Sequence, residues 1–443
     1  MIKAGYKKIF TGAFTLFGLP VLLLSVFLLT QSACQTGMRA HFLQSEEVQY
    51  IPSEFDDASP NRSQFGITAR GPCYDYNSYL PDTSHLDHTP VKYVRVNFHW
   101  MQPIDAVVDF PEEKVRTFSK GLIKAANYAL ENNKSMWLPH NNDTPTLPIR
   151  FQYVLSPQPE DPSDDGIYFH FDDLQYFYVA KGKDRNLYDR EVIDKYGAQL
   201  DTVLNIFFMP HHPDSIRSKT YAAVGTGVAL GNAIKLAGMD FNGDFWAYRG
   251  VFNHEVGHIY GLGHTWAYND GCEDTPRHKQ NCWNRSQPGC DTITSNNVMD
   301  YNAMQLAWTP CQIGKVQQKM ADERANVRQL LVPNWCRLDE NKTIEIRDTS
   351  SWEGAKDLEG NLYIAAGGQL RLRCRLSIPP NGKITVEPGG TLILDEAQLH
   401  NACGQEWQGI EILEKDGEKG RVQILRASSF ENMKNEVKLT GSN

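Results

Sequence analysis

No Cys-x-x-Cys pair occurs anywhere in the 443 residues, which removes the usual framework of a cysteine-type structural zinc site. No run rich in lysine and arginine follows the N-terminus, and the formal net charge is -9. The chain therefore lacks the electrostatic footprint of a polyanion binder, and nucleic acid is excluded as an expected partner. Charge is not abundant either: charged residues make up 22%, near the globular average, beside 41% hydrophobic and 11% aromatic residues. That composition folds, and the length exceeds what one hydrophobic core usually serves, so two folded units plus tails are expected.

The N-terminus carries Lys3, Lys7 and Lys8, an almost uninterrupted apolar run from Ile9 to Leu29, and then Ser32-Ala33-Cys34. This is the pattern of an export signal over residues 1–34. Cys34 after a small pair resembles a lipobox cysteine, although Gln31 stands where leucine is usual. An uncleaved membrane anchor and plain secretion fit the same run. All three place the body outside the cytoplasm, the first on a bacterial outer membrane or cell surface, and the first two make the membrane a partner through an N-terminal lipid or anchor. Beyond Cys34 there are eight cysteines, an even number that favours disulfides in an exported chain, with two local bridges expected between Cys272 and Cys311.

Residues 35–90 are polar and turn-rich and are read as a linker or pro-segment. Regular patterning begins with a strand at Val91–Phe98, followed by an amphipathic helix over 111–133 that opens on Pro111 and two glutamates. Strands follow at Leu147–Val154 and Leu204–Met209, the second apolar enough to be buried on both faces. Ala222–Gly231 reads as an edge strand or loop, and a helix follows from about Arg249 to Gly261. This order predicts an α/β (α+β) sandwich over residues 91–338. From 341 to 443 the texture changes to short β-like runs in which Ile364 and Val386, Gly367 and Gly389, and Leu370 and Leu392 all lie 22 apart, with a later echo offset by 30. Such a period predicts stacked coils like a right-handed parallel β-helix, with an ordinary β-sandwich as the alternative.

Residues 254–264 read His-Glu-Val-Gly-His-Ile-Tyr-Gly-Leu-Gly-His. On a helix, His254 and His258 project from one face and can meet one ion. Gly261 can take a positive φ and turn the chain so that His264 reaches the same ion. Three histidines leave a tetrahedral zinc one open position, and Glu255 lies beside the first ligand, placed to take a proton from an activated water. Thirty-five residues after His264, Asn297-Val-Met-Asp-Tyr offers Met299 as an apolar floor beneath the ligands and Tyr301 as a hydrogen-bond donor to an oxyanion. The extended histidine signature with a methionine turn is that of metzincins.

These elements, with Gly271-Cys, Asp274-Thr-Pro and Thr309-Pro-Cys-Gln, resemble the pappalysin family of metzincins over roughly residues 91–330. The resemblance implies a metzincin α/β domain with an active-site helix and Met-turn, endopeptidase cleavage of protein or peptide substrates, catalytic Zn2+, and a structural Ca2+ near Cys272–Asp300. The chain departs from the family after Tyr301: Asn-Ala-Met-Gln-Leu-Ala-Trp contains neither an acid nor a cysteine, so a preference for cationic side chains is not carried over and an apolar or mixed one is expected. Cys73 has two readings, a thiolate latency switch on the zinc and a disulfide partner. His85, His88, His99, His140, His170, His211 and His212 lack ligand spacing and receive no role. A rival reading makes the chain a surface adhesin or glycan- and matrix-binding protein that acts through its C-terminal β-region.

Overall fold

The computed structural model describes residues 37–51, 71–105, 111–212, 214, 217, 226–238, 243–266, 270–278 and 282–439. The expected export signal, residues 1–34, and residues 222–225 of the expected edge strand lie outside them. The described body from Met38 onward forms one compact unit.

The first half is a mostly parallel sheet in the order Phe151–Leu155, Lys92–Gln102, Leu204–Met209, Ala233–Ala237, Thr226–Ala229. The long strand Lys92–Gln102 pairs with Phe151–Leu155 along its first half and with Ile167–Phe171 along its second. Leu204–Met209 is buried at every residue, as expected of a central strand with both faces covered. The last strand, Thr226–Ala229, runs antiparallel to Ala233–Ala237 and ends the sheet, with no strand on its outer edge among the described residues. The helix Glu112–Glu131 buries Val115, Phe118, Leu122, Ala126 and Leu130, the face its spacing foretold. The active-site helix Arg249–Ile259 packs Phe252 and Val256 into the same core as Phe98 and Phe208. Between Leu155 and Leu204 the chain supplies the strand Ile167–Phe171 and the short helix Glu191–Tyr196.

From Thr343 the chain runs through three mostly parallel sheets in turn. The pairs Ile364–Val386 and Leu370–Leu392 lie opposite one another in register, so the 22-residue spacing is the distance around one circuit of the chain. That length belongs to this one circuit: the paired strands before it lie 18 and 20 residues apart (Thr343 with Asn361, Thr349 with Gln369) and those after it 26 and 30 (Lys383 with Gly409, Leu392 with Val422). Each circuit adds a layer of aliphatic side chains to a shared interior, among them Leu362, Ile384 and Ile410 on one wall and Leu370, Leu392 and Val422 on another. The later offset of 30 has a location: Leu392 faces Val422, and part of the excess is the hairpin that pairs Glu414 with Lys419 through a turn at Asp416 and Gly417, both at positive φ.

The described parts of residues 35–90, namely 37–51 and 71–90, are tied into the body at several points. Arg39–Phe42 adds an antiparallel strand to Gly409–Lys415, and Gln49–Tyr50 adds a parallel one to Arg421–Arg426. Both cover the outermost edge of a C-terminal sheet, where unpaired backbone groups would otherwise invite another strand. Cys73 is joined to Cys374 and Cys336 to Cys403, so two disulfides link the β-rich region to residues that precede it. Between the halves, Arg328 reaches both carboxylate oxygens of buried Asp357 at 2.8 and 2.9 Å.

Candidate active site

The active-site helix ends where the motif requires. Gly261 takes φ +87, its N–H returns to the His258 carbonyl, and the Leu262 N–H returns to the Gly257 carbonyl, which reverses the chain toward His264. The His254 Nδ1 lies 2.7 Å from the Val298 carbonyl oxygen and the His258 Nδ1 2.8 Å from the Leu262 carbonyl oxygen. A carbonyl only accepts, so both Nδ1 atoms carry the proton and both Nε2 atoms present lone pairs. The three Nε2 atoms of His254, His258 and His264 form a triangle with sides of 3.1, 3.1 and 3.2 Å. A tetrahedral ion about 2.0 Å from each nitrogen needs sides of about 3.3 Å, so the donor set fits zinc and leaves one open position. Burial pushes His254 down to about 3 and His264 down to about 4 and also lowers His258, which keeps the imidazoles in the neutral, ligating form.

Glu255 is only 4% exposed, and burial pushes its carboxyl up to about 8. It is wedged against the edge strand: a Cβ added to Gly227 would stand 2.5 Å from its Oε1 and 2.6 Å from its Cδ. Glycine at 227 is therefore what admits the glutamate beside the strand.

Met299 is fully buried, and its Sδ would lie 2.5 Å from a Cβ at Gly257, so the glycine of the zinc motif lets the sulfur rise against the helix between the first two histidines. The strand-like turn around it is held by Asn297, whose Oδ1 accepts from the Met299 N–H and from Gln312 Nε2, while its Nδ2 donates to Gln312 Oε1. Gln312 also completes a capping box with Thr309 at the start of the helix Pro310–Ala321. Asp274 accepts from the Cys311 N–H at the same helix start, and Cys272 is bonded to Cys311 beside it. Asp274-Thr-Pro, Asn297-Val-Met and Thr309-Pro-Cys-Gln are thus one physical assembly that positions the floor of the site. The sequence displayed these motifs without showing that they touch.

Tyr301 is 43% exposed, with its ring 4.7 Å from that of His264 and 5.9 Å from that of His254. Burial raises its hydroxyl pKa, and the neighbouring Glu255 adds to the shift, so it stays a donor. Trp266 stacks on His264 at 5.2 Å and meets Tyr301 at 5.1 Å. Asp300 is fully buried, accepts from the Tyr301 N–H at 2.7 Å and lies 2.5 Å from His278 Nε2.

Cys73 is not part of this constellation. Its bond to Cys374 leaves no thiolate to offer a metal, so the latency-switch reading is corrected in favour of the disulfide. Cys282 and Cys290 form the second local bridge beside Cys272–Cys311.

Residues 224–321 match the model of the peptidase family described as pregnancy-associated plasma protein-A. This segment belongs to the pappalysin family of metallopeptidases. The chain is accordingly a metallopeptidase, with protein or peptide substrates. The pappalysin segment begins just before the edge strand and ends with the helix capped by Gln312, so it contains the three histidines, Glu255, Met299 and Tyr301. Among solved structures, the mature mirolysin of Tannerella forsythia with a cleaved peptide overlaps 54% of this chain and 95% of its own at 15% identity and a TM-score of 0.37. Mirolysin in complex with compound 9 overlaps 54% and 96% at 15% identity and a TM-score of 0.39. A promirolysin mutant of Tannerella forsythia overlaps 55% and 84% at 14% identity and a TM-score of 0.35. No curated protein matches the chain in sequence.

Proposed function

We propose that the chain is an exported zinc-dependent endopeptidase in which His254, His258 and His264 hold the metal and Glu255 is the general base. The observation that carries this reading is the triangle of Nε2 atoms, with Glu255 buried beside it. Bound zinc would supply Lewis acidity for the scissile carbonyl and for the attacking water. Glu255 takes the proton from that water and passes it to the leaving amine, work suited to a carboxyl whose pKa burial has raised toward neutrality. Tyr301, half exposed at the rim, donates to the oxyanion as it forms, and Met299 is the Met-turn residue beneath the histidines. Substrate lies extended along the outer edge of Thr226–Ala229 through main-chain hydrogen bonds, which brings it past Gly227 to Glu255.

The acid-free stretch after Tyr301, with exposed Met304, supports an apolar or mixed side-chain preference rather than a cationic one. Residues 341–443 are read as a parallel β-helix on the strength of the 22-residue register, and the N-terminal apolar run as an export signal. Glu255→Ala should retain zinc and lose peptide hydrolysis. Full hydrolysis by the purified, zinc-loaded variant would overturn the assignment.

A further inference from the structure

Outside the catalytic cleft, Ser84-His-Leu-Asp-His folds as a single 3-10 turn, Leu86–His88, preceded by His85. The spacing of three between the histidines carries no signal when it is read against the four-residue step of an α-helical ligand pair. In a 3-10 turn, however, side chains at i and i+3 eclipse. The His88 N–H closes the turn on the His85 carbonyl at 3.0 Å, and the two rings stack with centroids 4.9 Å apart and planes 11° apart. Asp87 joins them, and one donor atom from each of His85, Asp87 and His88 lies within 4.8 Å of the others.

A second observation points to a ligand. His88 is 3% exposed, and its Nε2 is buried with no hydrogen-bond partner among the described residues. A buried imidazole nitrogen left unpaired is destabilising unless something outside the protein pairs it. The turn borders a cleft of about 410 Å3 whose opposite wall is the β-rich region, at Ser350, Ser351 and Trp352, with Asp82 at its rim. Trp352 packs edge-on to His88 at 5.4 Å. Two cations touch the segment, Lys356 donating to the His88 carbonyl oxygen at 2.8 Å and Arg150 to the Leu86 carbonyl oxygen at 3.1 Å, and the carboxylates of Asp82 and Asp87 offset their charge.

We propose that His85, Asp87 and His88 form a second divalent transition-metal site, distinct from the catalytic histidines, that locks the 85–88 turn beside the wall of the β-rich region. Two imidazoles and a carboxylate suit zinc, with the remaining position left to water. Donor atoms around such an ion stand about 3.3 Å apart, so the partly exposed His85 and the exposed Asp87 close on His88 by rotation of their own side chains.

The test is a metal count on the untagged, metal-stripped full chain titrated with zinc(II) and, separately, with cobalt(II). The wild type should saturate at two equivalents. His88→Gln and Asp87→Asn should each hold one, and a His254→Ala/His258→Ala variant should also hold one. Asp87 is exposed, so its substitution keeps the count interpretable even if His88→Gln folds poorly. A single equivalent in the wild type that Asp87→Asn and His88→Gln both keep, or two equivalents retained by both variants, would overturn the site. Because the readout is stoichiometry, failure of the proposed peptidase chemistry would leave this outcome unchanged.

Discussion

The two halves of the molecule fill their interiors in opposite ways. Around the catalytic sheet the buried positions include polar groups that each have a particular partner: His99 lies 2.9 Å from Asn205 Oδ1 and 3.0 Å from Asn97 Oδ1, Lys235 donates to the Asn186 carbonyl, and Asn297 is locked to Gln312. In the β-rich region the interior is built chiefly of aliphatic layers such as Leu370, Leu392 and Val422, which repeat one environment. A paired polar interior fixes the positions of individual atoms, which chemistry needs. A layered aliphatic interior contributes stability through area and tolerates exchange of one aliphatic side chain for another. Substitutions in the first half should therefore be read in rate, and those in the second in stability.

Removing the metal should produce the widest separation between the halves. Chelation should abolish hydrolysis of a peptide substrate while the strand signal of the β-rich region in far-UV circular dichroism persists; joint collapse would mean that the catalytic ion supports the whole body.

Next in size is Arg328→Ala, which removes two charge-assisted hydrogen bonds from the buried Asp357 carboxylate, leaving it to Arg375 and Lys92, and should cost about 3–5 kcal/mol in denaturant unfolding. The same ion cluster sets an acid limit. Burial alone would raise the Asp357 pKa, but Arg375, Arg328 and Lys92 outweigh it and hold the carboxyl well below its usual range. A depressed folded-state pKa contributes stability above the unfolded value, about 3.9, and loses it as pH falls through the folded value. Stability of the wild type should thus decline below about pH 4, and Asp357→Asn should lack that component.

Leu392→Ala opens a cavity inside the aliphatic layers and should cost about 2–5 kcal/mol, with kcat/KM unchanged wherever the variant is folded. A fall in kcat/KM in the folded variant would show that the layers also tune the site. The smallest effect is expected from Gly227→Ala. Its methyl group displaces the Glu255 carboxylate, so kcat should fall about tenfold to a hundredfold with zinc content and melting temperature nearly unchanged. An unaltered kcat would mean that Glu255 is not held by the edge strand.

Much of this division is legible in the residues. His254, Glu255, His258 and His264 can be placed because helix periodicity and a glycine turn are local geometry, and the circuits after residue 341 show because a 22-residue register repeats its own pattern. The helix over 112–131 and the buried central strand follow from spacing and apolarity in the same way. The strand Ile167–Phe171 is less visible, since it is short and pairs with only part of Lys92–Gln102. His85 and His88 escape a search for α-helical spacing because a 3-10 turn changes which residues eclipse.

The sequence by itself determined the cluster of three histidines with Glu255 beside it and the repeating interior, because each is encoded by contacts a few residues apart or by a pattern that recurs along the chain. Tertiary structure alone decided that Cys73 bonds to Cys374, that Arg39–Tyr50 covers the edges of the last circuit, that Gln312 holds Asn297 and that Gly227 leaves room for Glu255. Those are meetings of residues distant along the chain. The free energy that selects them belongs to the packed state, so no local pattern announces them.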